Sequence, residues 1–160
     1  MIWIVMGAAG SGKTTVGRAL AAARGCAFLE GDSLHPPANI AKMAAGVPLQ
    51  DADRAPWLAA IRQHLEAAVR QGQDLVVACS ALKQRYRDPL DQGLPVVWVY
   101  LRATEEVLHR RLEQRQGHYM KADMLASQLA DLEEPNPGAA LIFDATLPPE
   151  TIAARVLATL

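Results

Sequence analysis

Cysteine is scarce in this sequence, and that scarcity removes two classes of answer. Only Cys26 and Cys79 occur among 160 residues, each in or beside an apolar run (Cys26-Ala27-Phe28-Leu29 and Val76-Val77-Ala78-Cys79). Both read as buried free thiols, and no CxxC pair or His/Cys spacing points to a metal site. Long hydrophobic runs are missing as well, and nothing approaches the ~18 apolar residues that span a membrane. The opening Met1-Ile2-Trp3-Ile4-Val5-Met6 is apolar but short, has no charged leader and runs straight into glycines, so it does not read as a signal peptide. Nor is there an excess of charge: 16 Lys and Arg stand against 17 Asp and Glu, a formal net charge of −1. That balance excludes the basic field of a nucleic-acid binder and a polybasic membrane anchor. A small anionic substrate stays open, because a few Arg and Lys can cluster inside a neutral total.

What is present is enough for an ordinary core: 51% hydrophobic residues with 21% charged. No repeat, low-complexity tract or linker divides the chain, so a single cytoplasmic domain over residues 1–160 is expected. Short apolar runs (Ile2–Met6, Ala27–Leu29, Leu75–Cys79, Val96–Leu101, Leu141–Phe143) alternate with helical patterns. Val16, Leu20 and Ala23 mark a first helix closed by Gly25. A short helical piece is expected near Ile40–Ala45. Trp57, Ile61, Leu65 and Val69 recur every four residues and mark a long amphipathic helix ended by Gly72, with Trp57 read as its core anchor. Thr104 is placed to cap a helix carrying Val107, Leu108 and Leu112. Leu125, Leu129 and Leu132 mark another, and Pro148-Pro149 opens a last one. Strands alternating with helices predict an α/β fold, a five-stranded parallel sheet with helices on both faces.

The most informative run is Gly7-Ala8-Ala9-Gly10-Ser11-Gly12-Lys13-Thr14, continuing into Thr15. It follows a predicted strand and opens a predicted helix, the context a phosphate-binding loop (P-loop) requires. Glycines let the backbone curl so that successive N–H groups face phosphate oxygens, and the helix start adds its own free N–H groups and positive dipole end. Lys13 supplies a point charge to the β- and γ-phosphates of ATP, and Thr14 a hydroxyl to Mg²⁺. A dinucleotide-binding loop needs a different glycine spacing and has no use for Lys13-Thr14.

The second strand ends in Glu30-Gly31-Asp32, and ligands of open parallel sheets sit beyond the carboxyl ends of the strands. Asp32 is therefore expected to face the P-loop, where a carboxylate can hold the magnesium shell, accept the proton of an attacking hydroxyl, or both. The third strand ends in Cys79-Ser80 and offers no acid, which moves those duties towards Asp32.

After Asp32 the chain reads Ser33-Leu34-His35-Pro36-Pro37-Ala38-Asn39-Ile40-Ala41-Lys42-Met43, then Gly46-Val47-Pro48-Leu49 and Asp51-Ala52-Asp53-Arg54-Ala55-Pro56-Trp57-Leu58. Further on come Ala78-Cys79-Ser80-Ala81-Leu82-Lys83, Tyr86-Arg87-Asp88 and Gly117-His118-Tyr119-Met120. From Met6 to about Pro135 these motifs closely resemble the gluconate kinases of the P-loop type. The resemblance implies the nucleoside-kinase-like fold, a homodimer, and ATP-dependent phosphorylation of D-gluconate at its 6-hydroxyl. It also implies a substrate-binding insertion over about 30–56, with His118 near the substrate. The residues make chemical sense of that. Gluconate is a polyol with one carboxylate, so its site needs a cation of fork geometry and several hydrogen-bonding groups. Arg54, Arg87, His35 and Lys83 are the candidates, with Ser80 and Asp32 to meet hydroxyls. Which of them holds the carboxylate stays open, and Asp53 and Asp88 offer Arg54 and Arg87 ion pairs instead.

Arg110, Arg111 and Arg115 lie on the helix before Gly117. Arg110 reads as part of a solvated face with Glu106. Arg111 and Arg115 are four apart and share a face. They are expected in a mobile lid over about 111–125, as charges over the transferred phosphoryl group.

Overall fold

The computed structural model describes residues 1–115 and 122–160. Five strands, β1 (Ile2–Met6), β2 (Ala27–Glu30), β3 (Leu75–Ala78), β4 (Val96–Arg102) and β5 (Leu141–Asp144), form one sheet in the order β2-β3-β1-β4-β5. Every pairing is parallel. The strands agree with the apolar runs to within a residue at either end. Between them lie α1 (Lys13–Arg24), α2 (Pro37–Ala44), α3 (Asp51–Arg70), α4 (Gln84–Asp91), α5 (Glu105–Gln114), α6 (Ala122–Asp131) and α7 (Pro149–Leu157). Among the described residues no helix is long and apolar enough to cross a membrane.

β1 is central and wholly buried, which is why it reads as an unbroken apolar run rather than an alternating one. Its residues still divide by face. Ile2, Ile4 and Met6 pack with Trp57, Ile61 and Leu65 of α3 and with Tyr86 and Leu90 of α4. Trp3 and Val5 pack with Val16 and Leu20 of α1 and with Ile152 and Val156 of α7. Each such side chain contributes roughly 1.5–3 kcal/mol by leaving water. The double cover fixes β1 in place, and with it the loop that follows.

Three local differences from the sequence reading have physical causes. α3 begins at Asp51, ahead of Pro56, because Gln50 and Asp53 form a reciprocal capping box at its start. Pro56 and Ala52 are both exposed, so the hydrogen bond that proline forfeits is lost on the solvent side. The buried stripe of α3 runs Trp57, Ile61, Leu65 and then Ala68, while Val69 is 37% exposed. At 3.6 residues per turn, a strict four-residue spacing drifts off the face by the third turn. α4 was not legible as a helix, since it carries Pro89 and only Tyr86 and Leu90 as apolar anchors.

Candidate active site

The P-loop leaves β1 at Met6 and enters α1 at Lys13. Gly10 (φ 86°) and Gly12 (φ 96°) adopt the left-handed backbone that curls it. Gly12 is the N-cap of α1 and brings no side-chain cap, so the first N–H groups of the helix are left to an anion. Lys13 Nζ donates to Ala8 O at 3.1 Å. The loop is tied from outside by two residues far along the chain. Arg111 Nη1 donates to Gly10 O (3.2 Å) and Ser11 O (3.1 Å), and its Nη2 to Ala145 O (2.7 Å). Ala9 N donates to Gln128 Oε1 at 2.7 Å.

The tip of β2 lies close against β3. A Cβ on Gly31 would meet Ala78 O at 2.4 Å, so only glycine lets the two strands end this near each other. Trp57 Nε1 donates to Gly31 O at 2.8 Å and holds the tip from the helix side. Two carboxylates follow from this placement. Glu30 accepts a short hydrogen bond from the Thr14 hydroxyl, and its other oxygen accepts from Asp32 N at 3.5 Å. Asp32, in the 3-10 turn Gly31–Leu34, is exposed to the cleft. Burial pushes the Lys13 ammonium below its usual range, while Asp32 and then Glu30 pull it back up. Burial, with Asp32 adding, pushes the Cys79 thiol up to about 12, so it stays a neutral thiol.

No group of three or more His, Cys, Asp and Glu among the described residues could hold a metal unaided. Thr14, Glu30 and Asp32 nevertheless fit magnesium, which is commonly held by one or two carboxylates together with substrate phosphates.

On the acceptor side, His35, Arg54 and Ser80 line the same cleft as Lys13, Thr14 and Asp32, around about 800 Å³ of empty space open to solvent. His35 is buried and stacks on Trp57, ring centroids 4.2 Å apart and planes 15° from parallel. Burial first, and then Arg54, hold its pKa below the usual histidine range against an upward pull from Asp32. Arg54 is buried too. Its Nη1 donates to Leu49 O (2.8 Å) and Tyr86 Oη (3.0 Å), and Tyr86 in turn donates to Asp51. That relay sets the guanidinium's direction, and Asp131 lies 3.6 Å from Nη2.

An arginine, a histidine and a serine facing a P-loop across one cleft describe a phosphoryl-transfer site with a polar acceptor pocket. Comparison with known proteins agrees. Residues 2–135 match the family model described as an AAA domain. A gluconokinase of Gluconobacter oxydans is 50% identical over 133 residues, covering 82% of this chain and 75% of that one. The thermoresistant gluconokinase of Escherichia coli is 41% identical over 159 residues, covering 98% and 91%. The crystal structure of a gluconokinase from Sinorhizobium meliloti superposes with a TM-score of 0.86 at 45% identity, covering 98% of this chain and 89% of that one. The chain belongs to the gluconokinase family.

Within this gluconokinase framework the residues expected from sequence separate. Lys13, Thr14, Asp32, His35, Arg54, Ser80 and Arg115 come together in the cleft. Arg87 does not. It is 2% exposed, and its guanidinium donates to Ala81 O (2.7 Å), Leu82 O (3.1 Å), Glu133 O (2.8 Å) and Gln84 Oε1 (3.2 Å). Its donors hold the turn after β3, where Ala81 has a φ of 43°, a strained value for a residue with a Cβ. Lys83 lies in an adjoining recess with Asp51 and Asp131, 3.7 and 3.8 Å from its Nζ. Arg110 pairs with Glu106 at 3.0 Å, as expected of a solvated face. Arg111 differs from expectation. Its donors are spent on loop carbonyls, and it lines a separate shelf with Thr15, Ala145, Leu147 and Pro149. Arg115 lines both the shelf and the cleft. His118 and residues 116–121 of the expected lid lie outside the described residues. Sequence reasoning left three contributors unassigned. Glu30 was visible as the residue before Gly31-Asp32. Asn39 stood in a quoted motif without a role. Gln128, 119 residues from its partner Ala9, gave no signal at all.

Proposed function

We propose that this chain transfers the terminal phosphoryl group of ATP to the 6-hydroxyl of D-gluconate, giving 6-phospho-D-gluconate and ADP. The observation that carries the reading is the shared cleft: P-loop, carboxylate, buried arginine and buried histidine all open onto one space. The curled loop and the open start of α1 hold the β- and γ-phosphates. Lys13 places its ammonium beside them, and phosphate charge favours the protonated form that burial opposes. The shelf between Arg111 and Ala145–Pro149 takes the nucleotide's base, with the clamped guanidinium offering its planar face. Thr14, Glu30 and Asp32 would hold magnesium, which bridges phosphate oxygens and neutralises their charge when bound. Arg54 pairs with the gluconate carboxylate, its direction set by Tyr86. Ser80 and His35 bond hydroxyls along the chain of the sugar acid. Asp32 orients the attacking hydroxyl and takes its proton. Arg115 stabilises charge spread over the transferred group.

The test is a coupled assay of ADP formation with gluconate, shikimate and nucleoside monophosphates as acceptors. Turnover with gluconate alone is expected. Lys13→Ala should abolish it, and Asp32→Asn should lower kcat by about 10²–10⁴-fold. ADP formation that ignores gluconate, or full kcat in Asp32→Asn, would sink the assignment.

A further inference from the structure

Asn39 lies outside the lining of the cleft but touches a residue that forms it. It is 3% exposed, and its Nδ2 has two neighbours: Asp53 O at 2.8 Å and His35 Nδ1 at 3.1 Å. A backbone carbonyl can only accept, so the atom facing Asp53 must be the amide nitrogen. That nitrogen carries two hydrogens, and both are now placed. The second points at His35 Nδ1, which must therefore present a lone pair. In the neutral ring the proton then sits on Nε2.

We infer that Asn39 fixes His35 as the Nε2–H tautomer, so that His35 meets an acceptor oxygen of the sugar acid as a hydrogen-bond donor and cannot serve as the base. The setting supports this geometrically. The ring cannot easily turn over, because it is stacked on Trp57, and Trp57 is itself held by its bond to Gly31 O. Asn39 is equally constrained. It sits on α2 while its partner carbonyl is in the first turn of α3, and Asp53 is anchored there by Lys42 Nζ (3.0 Å) and Gln50 N (2.8 Å). The ring lines the cleft, and Nε2 has no hydrogen-bond partner among the described residues. The charged groups nearest the ring are Asp32 and Arg54. A donor at Nε2 selects for hydroxyl or carboxylate oxygen. A ring with Nδ1 occupied and Nε2 protonated has no lone pair to take a proton from the attacking hydroxyl. Asn39 is thus a positioning residue for substrate specificity, and proton acceptance falls to Asp32.

The inference about the substrate contact rests on the gluconate reading; the tautomer does not. The experiment therefore begins with ligand-free wild-type protein and nitrogen-15 NMR of the histidine side chains near neutral pH. The expected spectrum has the His35 Nδ1 unprotonated and Nε2 protonated. Asn39→Asp replaces the donor with an acceptor and should move the proton to Nδ1. The same variant should raise KM for gluconate about tenfold or more while KM for ATP stays within about twofold. A wild-type ring protonated on Nδ1 overturns the inference, whatever the substrate proves to be. So does a folded Asn39→Asp enzyme with unchanged KM for gluconate. If Asn39→Asp does not fold, the wild-type spectrum decides alone.

Discussion

Arg87 and Arg54 look alike in sequence, each beside an aspartate and each a candidate for the substrate carboxylate. The structure gives them opposite duties, and one substitution separates them. Arg87→Met keeps the length of the side chain and removes every donor. Two buried carbonyls, Ala81 O and Leu82 O, would lose their partner, and Glu133 O, part-buried, would lose its own. An unpaired buried acceptor costs about 1–3 kcal/mol, so the two fully buried ones together cost about 2–6 kcal/mol. Water reaching Glu133 O softens its share. For a chain of this size, each kcal/mol moves Tm by about 2–4 °C. A central loss of about 4 kcal/mol therefore lowers Tm by about 8–16 °C, read by circular dichroism. Assayed well below the new midpoint, KM for gluconate should stay within about twofold. Arg54→Met should do the reverse, raising KM about a hundredfold through loss of a charge-paired contact. If Arg87→Met kept the wild-type Tm, or lost gluconate binding while folded, the structural assignment of Arg87 would be wrong.

Gly31→Ala sets a Cβ 2.4 Å from Ala78 O, and backbone on both sides cannot yield, so a cost of about 1–3 kcal/mol is expected. Thermal unfolding should show it, together with at least a tenfold fall in kcat as Asp32 is pushed off line; wild-type behaviour in both would refute the close-approach argument. Glu30→Gln should raise the magnesium concentration needed for half-maximal rate far more than it lowers kcat, whereas Asp32→Asn should do the opposite; identical profiles would merge the two acids into one role. His35 is held below its ordinary 6.5, chiefly by burial. Between that value and the folded one, the unfolded chain binds a proton that the folded chain refuses, so stability falls as pH drops below about 6.5. Urea midpoints across that range should fall less steeply in His35→Gln, and an unchanged slope would remove His35 from the account.

The sheet and the P-loop were legible because their signals are local. Five apolar runs and one spaced glycine motif specify strands, a turn and a helix start without reference to distant residues. Gly25 and Thr104 could be read for the same reason, and both act as expected, one as a left-handed helix end and one accepting from Val107 N. What failed was long-range. Arg87 carries the same local signal as Arg54, and only the path of the turn after β3 tells them apart. Arg111 and Arg115 do share a helix face, but Arg111 reaches carbonyls about 100 residues earlier in the chain. Gln128 meets Ala9 by the same kind of closure. Side chains that bond backbone leave little trace in composition or period, because any carbonyl will serve as the partner.

The acid chemistry shows how geometry divides a duty that sequence lumps together. Read from the chain, one aspartate at the end of β2 serves both metal and base, since β3 ends in Cys79-Ser80. In the fold, Gly31 brings the strand tip hard against β3, and the residues on either side of it part company. Glu30 turns to the Thr14 hydroxyl, the group that a P-loop offers to magnesium. Asp32 is left open to the cleft, beside the ring of His35. If Asn39 holds that ring as a donor, His35 offers the attacking hydroxyl no lone pair. Cys79, buried and neutral, offers no thiolate. Of the groups considered for proton acceptance, Asp32 alone combines a carboxylate lone pair with exposure to the cleft, so the base is fixed as much by what its neighbours cannot do as by its own position.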